Sequence, residues 1–302
     1  MKTLSFISVS ALLLLVSACG YRSEETATKG GMHVLASESQ AVVMHEEVEQ
    51  FMRLYAGAKV TLGVTTTRDA IVQLLNDSVR YIVVDRDLNA EEKAVAEKAG
   101  LELEKVHVAE DALAFIVHPS NPLTEISEQT LRSILGGETT EWKSVQGASA
   151  GGAVQLVCTG RNSGTYELLV KTFFKLAKDA PLAAIADSQR ATVDFVAVHP
   201  GAIGVVPVSA IRDTALGVRV LKVEALDSAS GTRSFVALHQ ANIYLGKYPY
   251  HYPVYVHFSS ARTGLPMGFS AFMASPPGQK LFQNAGLVPR TQPVRLVQLN
   301  EE

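Results

Sequence analysis

The sequence has little charge, two cysteines and one tryptophan, and these shortages narrow the class of protein. Charged residues make up 19% and hydrophobic residues 47% of the 302 residues, so the chain can bury a core and is not disordered. Cys19 and Cys158 form neither a CxxC pair nor a metal-binding spacing, which argues against a disulfide framework. The sequence has 27 Lys and Arg residues and 30 acidic residues, a formal net charge of -3, so we expect no nucleic-acid partner.

Long apolar runs are also lacking after residue 20, where no stretch approaches the ~18–20 residues that cross a bilayer. The first residues have the layout of an export signal: the basic Lys2, an apolar run over 4–16, and small residues before Cys19. A short membrane anchor is the alternative, but the run is below spanning length. We therefore expect a signal peptide over 1–18 and a flexible tether over 19–31, rich in Ser, Thr, Glu and Gly.

Strand, polar loop and helix follow one another repeatedly after residue 32, which predicts an α/β fold with a mostly parallel sheet. The length predicts two lobes, and the extended segments 112–122 and 248–258 are candidates for the crossovers between them. We expect lobe one to comprise 32–111 plus 245–302 and lobe two 112–244. The last helix is predicted over 268–285.

Four polar loops each follow an apolar strand: 37–40, 65–67, 85–86 and 161–165. Ligands of open α/β sheets bind beyond the carboxyl ends of strands. Ser163, Gly164 and Thr165 also open a helix, whose free N–H groups and dipole favour an anion, and Arg161 could add its guanidinium. The alternative is that Ser and Thr at helix starts are plain N-caps and that Arg161 is solvated.

Four stretches carry recognisable motifs: 112–122 with its Asn-Pro end, 131–142 with Gly136, Gly137 and Trp142, the Pro-Gly-Ala-Ile-Gly run of 200–204, and 275–289. In this order they resemble the phosphate-binding solute receptors of bacterial phosphate ABC transporters, a branch of the type II periplasmic binding protein superfamily. The sequence Val16-Ser17-Ala18-Cys19 similarly resembles a bacterial lipobox. The resemblances imply two Rossmann-like lobes with a hinge, lipidation of Cys19 and capture of phosphate between the lobes.

The resemblance carries the ligand positions of the family onto this chain one by one. They fall on Ser39, Gln40, Thr67, Asp85, Arg161, Ser163, Gly164 and Thr165, with Ser37 as a weaker candidate. This chain departs from the family pattern at three points. One residue separates Arg161 from Ser163 where the family loop has three, Thr65-Thr66-Thr67 replaces a glycine-rich loop, and Glu38 would repel phosphate unless its side chain turns outward.

Asp85 is the predicted selector between oxyanions. Phosphate keeps a proton at neutral pH and can donate it to a carboxylate, whereas sulfate has none. The alternative is that Asp85 caps the helix that begins near Asn89 or pairs with Arg86.

The interpretation as a binding protein rather than an enzyme depends on missing motifs. The sequence contains no HExxH, Walker A or GxGxxG, and its eight histidines show no metal-ligand spacing, so we expect no cofactor and no metal. The expected partners are inorganic phosphate or a related oxyanion, ABC permease subunits, and a bacterial membrane through the lipid anchor, with the chain itself a monomer. An oxyanion sensor or adhesion lipoprotein without transport is the alternative.

Overall fold

The computed structural model describes residues 25–148, 152–212, 217–227, 230–259 and 264–292. The strands within this part are β1 Lys29–Ser37, β2 Gly57–Thr65, β3 Tyr81–Val84, β4 Leu103–Val117, β5 Glu125–Ile126, β6 Gln155–Thr159, β7 Ala184–Ala186, β8 Ala202–Pro207, β9 Arg219–Val220, β10 Lys222–Leu226, β11 Arg233–Val236, β12 His251–Ser259 and β13 Val288–Pro289. The helices are α1 Ala41–Leu54, α2 Thr67–Leu75, α3 Ala90–Lys98, α4 Glu128–Leu135, α5 Gly164–Phe174, α6 Gln189–Val198, α7 Gln240–Tyr244, α8 Leu265–Ala274 and α9 Pro276–Asn284. The α/β prediction is confirmed.

The main sheet has the strand order β2-β1-β3-β12-β4-β8-β6-β7. Strand β1 is parallel to β2 and β3 at one end, and β6 is parallel to β7 and β8 at the other. The central strands β12 and β4 are antiparallel to each other and to their outer neighbours β3 and β8. The predicted parallel sheet is therefore found at the two ends, and two long antiparallel strands join them.

Each end of the sheet has its own hydrophobic core. In the first, Phe51 lies 5.0 Å from Phe269 between ring centroids, beside the buried Tyr81. In the second, the Tyr250 ring lies 5.3 Å from Phe115 and 5.1 Å from Phe173. Two cores joined by β4 and β12 support the two-lobe expectation, whose limits at 111/112 and 244/245 stay a prediction.

Three boundaries differ from those predicted. Strand β1 begins at Lys29 because it pairs with β2 from there, so the last three residues of the expected tether belong to the sheet. Strand β4 begins at Leu103, well before the predicted crossover. The predicted single helix over 268–285 is wrong: Ser275 is extended at φ -80 and ψ 163, because a residue before proline avoids helical geometry. Pro276 then opens a separate helix.

The predicted export signal, the tether up to residue 24 and Cys19 lie outside the described residues. In the described part, no helix is both long and apolar enough to span a membrane. Cys158 is free and fully buried on β6, where it packs as a small hydrophobic residue, and burial raises the pKa of its thiol to about 12.

Candidate anion-binding site

The predicted polar loops meet between the two ends of the sheet. Strands β1, β2 and β3 run parallel, so the residues that follow them share one edge and face the start of α5 in the other lobe. Short polar side chains begin the helices there: Thr66 accepts from the Asp69 N–H, and Ser163 accepts from the Tyr166 N–H at 3.1 Å. The N-cap interpretation of Ser163 is therefore correct, although capping uses its oxygen lone pairs and leaves its own proton free to be donated.

Asp85 lies at the centre of the site, and the donors of the first lobe converge on it. Its carboxylate accepts from Ser39 Oγ at 2.6 and 2.7 Å, from Gln40 Nε2 at 2.9 Å and from Thr67 Oγ1 at 3.0 Å. Burial raises the pKa of Asp85, and these hydrogen bonds act in the opposite direction. Four of the ligand positions predicted from the sequence, Ser39, Gln40, Thr67 and Asp85, therefore form one cluster.

Neither alternative role for Asp85 is found. Asn89 itself caps α3, in a reciprocal capping box with Glu92. The Arg86 guanidinium binds Glu92 with two nitrogens, at 2.7 and 2.9 Å, and lies 2.7 Å from Glu167. Asp85 therefore has neither role, and within the described part of the chain the side chains that donate to it, Ser39, Gln40 and Thr67, are all neutral.

A second buried carboxyl, Asp111 on β4, extends the cluster toward the strands that join the lobes. Gln40 Nε2 donates to Asp111 Oδ2 at 3.0 Å as well as to Asp85, and the N–H groups of Ala112 and Val208 donate to Asp111 Oδ1. Burial, and less strongly the charge of Asp85, raise the pKa of Asp111 to about 7. This residue was missed in the sequence analysis, although a carboxyl directly before the apolar run 112–117 was a usable signal.

The start of α5 closes the site from the second lobe. A Cβ added to Gly164 would lie 2.1 Å from Asp85 Oδ2 and 2.5 Å from Thr67 Oγ1, so only glycine permits this approach. Thr165 is fully buried, and its hydroxyl accepts from Gln189 Nε2 at 2.8 Å. Gln189, the first residue of α6, is a further member that the sequence did not reveal.

Arg161 does not join the cluster. It lines the cleft, but its guanidinium pairs with Asp179 and its side chain is 65% exposed. The ion pair with Asp179 holds the Arg161 side chain at the surface. The expectation that Arg161 adds donors to the anion is not met in this structure.

Glu38 turns inward, contrary to the condition that the sequence set for phosphate binding. Both carboxylate oxygens are enclosed, and neither has a hydrogen-bond partner among the described residues. Burial is the largest cause that raises the pKa of Glu38 to about 7, and the charge of Asp85 adds to it. Glu38 is therefore a third carboxyl of the site, and with Asp85 it lies beside the start of α5.

This arrangement of donors and buried carboxyls suits a protonated anion. In the part of the chain that the structure describes, no three His, Cys, Asp or Glu side chains are placed to hold a metal ion. Hydroxyl, amide and backbone donors surround the site from both lobes, and buried carboxylates offer acceptors for ligand protons.

The sequence profile of the PBP superfamily domain matches residues 22–277, most of the chain. The chain belongs to this superfamily. Among curated proteins, the phosphate-binding protein PstS of Bacillus subtilis (strain 168) is 25% identical over 308 residues, which cover 96% of this chain and 94% of that protein. Protein SphX of Synechococcus elongatus is 26% identical over 52% of this chain. The chain matches 49% of the length of SphX. It matches 61% of the length of the phosphate-binding protein PstS of Borreliella burgdorferi.

Solved structures share the fold. A Clostridium perfringens structure, described as a substrate-binding protein of a phosphate ABC transporter with bound phosphate, superposes with a TM-score of 0.75 at 22% identity. The superposition includes 86% of this chain and the whole of the Clostridium perfringens chain. An ABC-type phosphate transport receptor from Vibrio cholerae gives a TM-score of 0.66 at 21% identity with the same coverage. The two-lobed α/β fold is therefore that of the type II periplasmic binding proteins.

Proposed function

We propose that this protein is a solute-binding receptor that captures inorganic phosphate between its two lobes for an ABC transporter. The observation that carries the proposal is the buried Asp85, which gathers three donors of one lobe directly against the start of α5 in the other. The naming of B. subtilis PstS as a phosphate-binding protein, along nearly its whole length, supports the same ligand.

The chemistry of the site favours phosphate over sulfate. The backbone N–H groups of Gly164 and Thr165, with the Ser163 hydroxyl, supply donors without any basic side chain. The hydroxyls of Ser39 and Thr67, which donate to Asp85 in this structure, join them when they turn to the ligand. Asp85 can accept a proton that phosphate carries and sulfate lacks. Because these bonds are short-range and enclosed, they hold an anion despite the net negative charge of the chain.

The proposal includes a location and partners. We infer export through the signal peptide over 1–18 and anchoring by lipid on Cys19, with 19–24 as the start of the tether. The chain acts as a monomer that delivers phosphate to membrane permease subunits. The interpretation as a receptor is supported by superfamily membership.

A sensor is the second candidate, because the fold also occurs in the regulatory domain of Synechocystis CcmR in complex with 2-PG, at a TM-score of 0.56. Deletion of the gene discriminates between the two. A transport receptor is required for phosphate uptake at low external concentration, whereas a sensor is not.

Calorimetric titration of the full chain in detergent with phosphate and sulfate tests the ligand. We expect saturable phosphate binding well below millimolar concentration and no sulfate binding. Asp85→Asn should admit sulfate, since an amide can donate where a carboxylate only accepts. Asp194→Asn, a change of the same kind on the exposed face of α6, should behave like the parent. A parent that binds no phosphate at millimolar concentration contradicts the proposal.

A further inference from the structure

Glu38 is the feature of the site that the proposed function leaves unexplained. It lies one residue before Ser39, and its carboxylate shares with Ser163 a cleft of about 650 Å³. The Gly164 N–H acts on this carboxylate and lowers its pKa, although neither oxygen accepts a full hydrogen bond from the described residues. The carboxylate therefore lies beside the same helix start that would hold a phosphate oxygen.

We propose that Glu38 competes with phosphate as an internal anion, so that phosphate binds only when one additional proton enters the site. The inference deepens the proposed function and rests on it.

The carboxylates near Glu38 make it costly to bring the negative charge of a phosphate into the cleft. Besides burial, the negative charges of Asp85, at the end of β3, and of Asp69, on α2, raise the pKa of the Glu38 carboxyl. The charge of Glu38 in turn adds to the effect of burial, which raises the pKa of Cys158 on β6 and of Tyr252 on β12. Asp187 and Arg161 line the same cleft, but Arg161 is paired with Asp179. A phosphate dianion placed beside Asp85 and an ionised Glu38, with Asp69 just outside the cleft, would meet like charge on more than one side.

One proton removes this conflict, and the balance is simple. Above neutral pH, HPO₄²⁻ and the ionised Glu38 together take up one H⁺ from solution, and the proton lies on a Glu38 oxygen or on a phosphate oxygen. In either arrangement one proton lies between Glu38 and the phosphate. The group that carries this proton donates a hydrogen bond, and the other group accepts it. A second proton, already on phosphate, serves Asp85.

The pKa of Glu38, raised to about 7, sets where the effect is felt. Below this value Glu38 is already protonated in the free protein, and no competition arises. Above it, protonation becomes part of the binding equilibrium, and phosphate affinity should fall by about tenfold per pH unit. A site with Asp85 alone accepts HPO₄²⁻ directly and should show no such loss.

The test is calorimetric titration of the full chain in detergent with inorganic phosphate at pH 7.5, 8.0 and 8.5, at constant ionic strength. We expect parent affinity to fall about tenfold from pH 7.5 to 8.5, and less than about twofold for Glu38→Gln. Asp69→Asn is the matched control: it removes a nearby charge outside the cleft, and it should retain the steep dependence of the parent.

A second measurement on the unaltered protein keeps the inference independent of how the variant folds. Titration at pH 8 in two buffers with different heats of ionisation reports the protons taken up per phosphate bound. We expect about one for the parent. A value near zero means that Glu38 simply swings out of the cleft, and it overturns the inference while leaving phosphate binding intact. An equal pH profile in Glu38→Gln and parent overturns it as well. Failure of both proteins to bind phosphate at any pH rejects the proposed function and this inference with it.

Discussion

At the scale of single residues, the missing side chain of Gly164 decides how closely the lobes approach. An added Cβ would lie 2.1 Å from Asp85 Oδ2, closer than two non-bonded atoms can come. Gly164→Ala should therefore hold the lobes apart or strain them, at a cost of about 1–3 kcal/mol. Thermal unfolding and phosphate titration measure the two effects, a lower melting temperature and weaker binding.

Gly160→Ala on the same loop is the control for this change. A Cβ there would meet only the Ile185 side chain at 3.5 Å, an ordinary contact, so binding and stability should be unchanged. If Gly164→Ala binds phosphate as tightly as the parent, the described approach of Asp85 to α5 does not occur in the bound protein.

The residues of the site were partly predictable from the sequence, and their directions were not. Asp85 and Thr67 follow apolar strands and come together because parallel strands end at one edge. Glu38 and Arg161 stand in the same loops, yet Glu38 turns inward and Arg161 pairs with Asp179. Which way a side chain turns depends on loop geometry and neighbouring charges, which a single sequence does not encode by pattern.

At the scale of elements, an ion pair joins the two lobes outside the polar cluster. Arg86 follows β3 in the first lobe, and its Nε lies 2.7 Å from Glu167 on the first turn of α5. The Arg86 side chain is only 10% exposed, so solvent screens this pair less than a surface pair. Glu167→Gln should weaken the closed arrangement by about 1 kcal/mol and speed phosphate dissociation about fivefold.

Stopped-flow measurement of phosphate release checks this effect against Glu138→Gln. Glu138 pairs with Lys178 at 3.6 Å inside one lobe, and both side chains are largely exposed, so its loss should leave the release rate unchanged. Equal release rates for Glu167→Gln and the parent would show that the Arg86 pair does not hold the lobes together.

Element types were more predictable than element directions and ends. Alternating apolar strands and helices gave the α/β class, but the central β4 and β12 are antiparallel, and an apolar run has the same appearance in either direction. The expected last helix overlooked Pro276 and Pro277 at positions that begin a new helix. Residue chemistry at such points counted for more than the hydrophobic pattern.

At the scale of the whole molecule, buried carboxyls couple folding to pH. Burial raises the pKa values of Glu38 and Asp111 to about 7, and it also raises those of Glu47 and Asp85. In the other direction, His107 and His251 hold the pKa of Glu110 near 2 despite its partial burial. Stability should therefore decline on both sides of a mildly acidic optimum.

The sign follows from proton binding. Between the unfolded pKa of about 4 and the folded pKa of about 7, Asp111 binds more protons in the folded state. Its contribution to stability is fully present below pH 4 and is lost as the pH rises through 7. Burial lowers the pKa of His257 to about 4, so the effect of His257 on stability has the opposite sign. The folded protein gains stability from it as the pH rises from about 4 to the ordinary histidine pKa near 6.5, and no further change follows above that pH.

Urea unfolding of the full chain between pH 6 and 8 therefore tests Asp111 as part of the fold. The free energy of unfolding of the parent should fall by about 1 kcal/mol across this range, which in a thermal scan corresponds to a melting temperature lower by roughly 2–4 °C at pH 8. Asp111→Asn keeps an oxygen for the Ala112 and Val208 N–H groups and has no charge to lose, so its decline should be shallower. Parallel declines in parent and variant would mean that Asp111 is already ionised in the folded protein at pH 6. The strand that joins the lobes would then carry a buried charge stabilised by Gln40 and the two backbone donors alone.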